Sequence, residues 1–126
     1  MNAPRRKSRR VLIVDDEPEI VDLLQEVLAE AGYDVRSVFT SDEALAVALG
    51  FRPHVILLDL RMPGMSGDQV LRALRERGIQ APVIAISARP ELAGPGFFGV
   101  VGKPLDMREV PQVVGDALRA GRAPDA

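Results

Sequence analysis

The chain has 126 residues, 47% of them hydrophobic and 27% charged, which is the size and balance of one ordinary domain with room for a real core. It has no cysteine, which excludes disulfides, thiolate metal sites and cysteine nucleophiles. No apolar stretch approaches the ~20 residues of a membrane span, and the basic N-terminus lacks the apolar segment of a secretory signal. A cytoplasmic location is the expectation.

The net charge of -2 hides an asymmetry. Arg5, Arg6, Lys7, Arg9 and Arg10 precede the first apolar run, and from residue 11 onward there remain 11 basic and 18 acidic residues, a net of -7. A basic arm suits nucleic acid or an anionic surface. The rest of the chain is acidic and offers no basic face to extend such an arm. Residues 1–9 are therefore read as a solvated, disordered leader with no assigned function.

In chain order, Val11-Leu12-Ile13-Val14 is a short run rich in branched apolar residues, the pattern of a strand buried on both faces, and it runs into Asp15-Asp16. A strand is expected at about 11–15 and a helix at about 17–31, with a stripe of Ile20, Leu23, Leu24, Val27, Leu28 and Ala31 that Gly32 stops. Glu17, Glu19, Asp22, Glu26 and Glu30 are assigned to its solvated face. A strand at 34–38 and a helix at 42–49 follow, with Ser41 as the expected N-cap. His54, the only histidine, precedes the next strand in a Pro-containing loop and is read as a surface residue.

The third strand, expected at 54–59, contains Val55-Ile56-Leu57-Leu58 and ends in Asp59. If it lies beside the first, three carboxylates converge in one crevice beyond the strand ends. Like charges that close need a cation, a proton or an electrophile. The segment Leu60-Arg61-Met62-Pro63-Gly64-Met65-Ser66-Gly67 turns the chain sharply and keeps its backbone beside Asp59, where a carbonyl can serve a hard cation such as Mg2+. Met62 and Met65 are packing residues.

A helix is expected at 67–77, capped by Ser66, then a strand at 82–87 ending in Ser87. A strand at 99–102 leads into Lys103-Pro104, and a helix at 107–120 opens on an Asp106/Glu109 pair resembling a capping box. The chain has 14 arginines and two lysines, so a lysine at a strand end suggests a need for a compact point charge. Pro111 and Gly115 disfavour a helix interior by ~3 and ~1 kcal/mol, so the last helix is expected to kink near Pro111 or to start properly there. Residues 121–126 are read as a tail or linker.

Strand–helix alternation of this kind argues for an α/β fold with a doubly wound parallel sheet. The residues Asp15-Asp16-Glu17-Pro18, Asp59 to Gly67, Ser87-Ala88 and Lys103-Pro104, in order and each at a strand end, resemble the receiver domain of two-component response regulators. The likeness covers about residues 10–120. It implies a five-stranded, flavodoxin-like sheet of order 2-1-3-4-5. It implies Asp59 as acceptor of a phosphoryl group from a histidine-kinase phosphohistidine, with Lys103 and Ser87 contacting the phosphoryl oxygens. It also implies Mg2+ held by Asp16 directly, by Asp15 through water, by Asp59 and by the Arg61 carbonyl. The implied partners are a sensor histidine kinase or phosphotransfer protein and a downstream target. No membrane, no nucleic acid and no turnover of a separate substrate are implied, beyond assistance to the domain's own phosphorylation and dephosphorylation.

Two departures from the family limit the readout. Only 11 residues, Ala88 to Phe98, separate Ser87 from the last strand, and they include Pro90, Gly94, Pro95 and Gly96. Crossovers usually take about a dozen or more residues, mostly helical, so the fourth helix is expected to be missing or about one turn long. Val100 stands where receivers carry a switch aromatic, while Phe97 and Phe98 are expected to cover the sheet face a helix would have covered. If they fail to, the exposed apolar patch suits a homodimer or partner interface. The competing readings are a receiver-fold scaffold that binds partners without phosphorylation and a phosphohydrolase of the haloacid-dehalogenase type. The latter expects Asp-x-Asp after the first strand and a longer chain; a flavodoxin-type carrier lacks its phosphate loop here.

Overall fold

A computed structural model describes residues 9–121; the predicted leader to residue 8 and the tail from residue 122 lie outside the described residues. The elements are β1 (Arg10–Val14), α1 (Pro18–Glu30), β2 (Asp34–Val38), α2 (Ser41–Phe51), β3 (Val55–Asp59), α3 (Gly67–Glu76), β4 (Val83–Ser87), a 3-10 turn (Pro90–Leu92), β5 (Gly99–Gly102) and α4 (Glu109–Ala120). The five strands form one sheet, order β2-β1-β3-β4-β5, with every pairing parallel. Alternate residues of the apolar strands build two cores. Leu12, Val14, Ile56 and Leu58 pack under α2 and α3, while Val11, Ile13, Val55 and Leu57 pack under α1 and α4. Burial on both faces explains why β1, β3 and β4 read as unbroken apolar runs rather than alternating ones.

Several local expectations shift. Helix α1 turns Val21, Leu24 and Leu28 inward, and Leu23, expected in the stripe, is exposed. The N-cap of α2 is Thr40, whose hydroxyl accepts the Glu43 amide at 3.1 Å; Ser41 is already helical and buried. Ser66 caps α3 as expected, in a reciprocal capping box with Gln69. Asp106 and Glu109 meet in a turn rather than a reciprocal capping box: the Asp106 carboxylate accepts the Arg108 amide at 2.9 Å, and its backbone carbonyl takes the Glu109 amide. Pro111 is the third residue of α4, where a missing N–H has no acceptor to lose, so the helix starts just ahead of it. His54 is not a surface residue. It is buried, its amide donates to the Arg10 carbonyl at 2.8 Å and its Nδ1 accepts the Arg10 amide at 3.0 Å, so it extends the β1–β3 pairing by one rung.

The connection from β4 to β5 is one 3-10 turn in otherwise irregular chain, as the prolines and glycines require. Phe97 packs onto the core under α3, and Gly96 takes a positive φ of 101° where the chain passes close to Leu71. Phe98 and Leu92 stay exposed, so of the two phenylalanines it is Phe97 that packs on the core. The capping assignment has a direct check in chemical denaturation. Thr40→Ala should destabilise by about 1 kcal/mol, whereas Ser41→Ala should not, because the Ser41 hydroxyl is buried without a hydrogen-bond partner.

Candidate functional site

Parallel strands bring all their carboxyl ends to one edge of the sheet. In register, Val14 lies beside Leu58, Asp59 beside Ile86, and Ser87 beside Gly102. Asp15, Asp59, Ser87 and Lys103, each the last residue of a strand or the first after one, therefore stand along that edge. Ladder bonds continue past the strands: the Leu60 amide donates to the Ile86 carbonyl at 3.0 Å and the Lys103 amide to the Ser87 carbonyl at 2.9 Å.

The two buried aspartates use the same local device. Asp15 Oδ1 accepts the Glu17 amide and Asp59 Oδ1 accepts the Arg61 amide, each at 2.9 Å and two residues on. Each carboxylate thus folds the chain sharply out of its strand and fixes its own orientation. The second oxygens face one another's neighbourhood. Asp59 Oδ2 lies 3.4 Å from Lys103 Nζ; Asp15 Oδ2 is 3.5 Å from it and has no hydrogen-bond partner among the described residues. Burial, reinforced by the Asp59 charge against the opposing Glu17 amide and Lys103, pushes the Asp15 carboxyl up to about 6.

Lys103 is half-buried, which works against its charge. The Glu17 carboxylate and then Asp15 and Asp59 outweigh that burial and hold the ammonium above the usual lysine range. Its shortest contact is with Glu17, 2.5 Å from Nζ to Oε1. Glu17 therefore does not belong to the solvated face of α1. It is the non-helical residue before Pro18, with φ -97° and ψ 109°, and that conformation swings its side chain over the strand ends. Its place directly after Asp15-Asp16 and before a proline was the available signal.

One carboxylate oxygen each from Asp15, Glu17 and Asp59 lie within 4.8 Å of one another. Asp16 is exposed and outside this trio; it lines an open cleft of about 420 Å³ with Glu17, Asp59, Arg61, Ala88 and Lys103. Ser87 is buried, and its Oγ accepts the Arg89 amide at 2.9 Å. An orphaned buried carboxylate oxygen amid hard oxygen donors fits a divalent cation such as Mg2+. A carboxylate facing an ammonium in an open cleft is also a nucleophile beside a charge that stabilises an incoming anion.

No described helix is long and apolar enough to cross a membrane. The profile of the response regulator receiver domain matches residues 11–115. The chain is 37% identical over 122 residues to the alkaline phosphatase synthesis transcriptional regulatory protein PhoP of Bacillus subtilis, covering 89% of this chain and 49% of PhoP. It is 40% identical over 105 residues to the transcriptional regulatory protein KdpE of Mycobacterium tuberculosis, covering 79% of this chain and 46% of KdpE. It thus spans about half the length of these curated relatives. The chemotaxis response regulator CheY4 of Vibrio cholerae superimposes with a TM-score of 0.79 at 27% identity, covering 87% of this chain and 98% of CheY4. The chain belongs to the response regulator receiver domain family.

Proposed function

We propose that this receiver domain, residues 10–120, is switched by phosphorylation of Asp59 in a Mg2+-dependent reaction with a histidine-kinase phosphohistidine or a small phosphodonor. The observation that carries this reading is the Asp59 carboxylate, held by the Arg61 amide and facing Lys103 across 3.4 Å. The carboxylate attacks phosphorus as the bond from phosphorus to the donor's imidazole nitrogen breaks, giving an acyl phosphate and a free imidazole. Such transfers depend on charge neutralisation and in-line positioning more than on covalent machinery. Lys103 supplies one positive charge. Asp15, Asp16, Asp59 and the Arg61 carbonyl would hold Mg2+, which when bound neutralises the remaining phosphoryl charge.

Ser87 is the residue through which the state is read. Its hydroxyl braces the Arg89 amide at the head of the Pro90–Leu92 turn. A phosphoryl oxygen on Asp59 recruits the same hydroxyl, which ties the modified carboxylate to the segment that replaces a fourth crossover helix. With Val100 in the switch position and Phe98 and Leu92 exposed, that segment and β5 form the readout face toward the downstream target.

Incubation with Mg2+ and acetyl phosphate, followed by intact mass measurement, tests the central step. Wild type should gain one phosphoryl group, and Asp59→Asn or omission of Mg2+ should abolish the gain. An unlabelled wild type would favour the scaffold reading instead.

The electrostatics give a second expectation, for protein freed of divalent cations. Because the folded pKa of Asp15 is raised from 3.8 to about 6, the folded state holds this proton more tightly than the unfolded chain. Its contribution to stability is therefore greatest below about pH 4 and is lost as pH rises through 6. Asp15→Asn, which keeps the acceptor for the Glu17 amide, should be more stable than wild type at pH 7. A shift of this size corresponds to at most ~3 kcal/mol, and the advantage should vanish near pH 4. Thermal melts across that range, with and without Mg2+, provide the measurement; Mg2+ should narrow the gap.

A further inference from the structure

Lys103 is shared unequally. Its ammonium is 2.5 Å from Glu17 Oε1 but 3.4 Å from Asp59 Oδ2 and 3.5 Å from Asp15 Oδ2. The single close contact goes to a side chain that is 53% exposed, while both looser contacts go to buried carboxylates. That contact is the shortest that Lys103 makes. A phosphoryl group on Asp59 adds negative charge close to Glu17, whose carboxylate oxygen lies within 4.8 Å of one on Asp59. The three N–H donors of Lys103 are then shared between the phosphoryl oxygens and Glu17, and the share held by Glu17 is charge not given to the phosphoryl group.

We propose that Glu17 is a positioning residue that competes with the phosphoryl group for Lys103 and so weakens the pocket's hold on phosphoryl groups and their mimics. Glu17 touches neither the phosphorus nor Asp59 in this role; it acts through the ammonium. The inference rests on the phosphorylation reading above. It differs from a general charge effect, because an acid of the same sign that does not hold Lys103 lacks it. Glu17 also offers an oxygen within 4.8 Å of those of Asp15 and Asp59, so the Mg2+ affinity measured without the mimic separates this role from metal binding.

The test uses berylliofluoride with Mg2+, titrated by NMR on wild type, Glu17→Gln and Glu19→Gln. Glu19 is an exposed acid in the first turn of α1, so its substitution makes the same change in charge two residues away. Glu17→Gln should bind the mimic about three- to tenfold more tightly, the range expected for releasing a partly exposed ion pair. Its initial rate of labelling by acetyl phosphate should rise in step. Glu19→Gln should match wild type in both, and the Mg2+ affinity of Glu17→Gln without the mimic should stay within about twofold of wild type, since a ligand lost to the ion would cost tenfold or more. Equal affinity in wild type and Glu17→Gln, or an equal gain in Glu19→Gln, overturns the proposal. A tenfold loss of Mg2+ affinity in Glu17→Gln overturns it too, by assigning Glu17 to the ion. Failure of wild type itself to bind the mimic or accept label is a different result, and strikes the phosphorylation reading.

Discussion

Three carboxylates at the ends of β1 and β3 are tolerable only because one ammonium stands among them. Asp15 and Asp59 are buried, and each spends one oxygen on turning its own chain out of the sheet. The oxygens left over face a region where burial already works against charge. Lys103 arrives from the far strand, β5, and its reach to Asp15, Glu17 and Asp59 ties three loops to one another across the sheet edge. The arrangement is under-neutralised, with more negative charge than positive. That deficit is what makes the cleft suitable for a divalent ion, and two large apolar cores beneath it supply stability that the site does not.

Much of this was legible in the sequence because its strongest signals sit where periodicity breaks. Apolar runs that end abruptly in Asp15, Asp59 and Ser87 mark both the strands and the edge on which they stop, and the short, proline- and glycine-rich stretch after Ser87 foretells a fourth helix missing or about one turn long. What was misread lies where a residue escapes the pattern of its neighbours. Glu17 was assigned to a helix face, yet an N-cap residue has extended backbone angles and leaves the helical wheel. His54 was placed outside because it follows a proline in a connection; the β1–β3 pairing simply begins one residue earlier and encloses it. Leu23 and Val21 exchanged places because a stripe defined by composition leaves its rotational phase free, and packing against the sheet then sets it.

The capping residues show the same division between pattern and geometry. Thr40 and Ser41 are adjacent hydroxyl residues, and either could cap α2 by composition. The choice falls to Thr40 because it has the extended conformation that aims its hydroxyl at Glu43. Ser66 had no such rival, and its partner Gln69 completed a reciprocal pair. Where two neighbours offer equivalent chemistry, sequence names the device and the backbone chooses the residue that performs it.

The reduced crossover divides the cleft by mechanical stiffness. Asp15 and Asp59 follow strands with paired neighbours on both sides and helices on both faces. Ser87 ends β4, which is also paired on both sides, whereas Lys103 follows β5, an edge strand four residues long. One face of it is covered by α4, the other only by coil anchored through Phe97 and by a turn with two backbone bonds of its own. Local opening needs least free energy where buried contacts and hydrogen bonds are fewest. Asp15 and Asp59 thus rest on strands flanked by strands on both sides and covered on both faces. Lys103, the cation that answers to them, rests at the less supported edge, so the two signs of charge in the cleft are carried by parts of the sheet that differ in support.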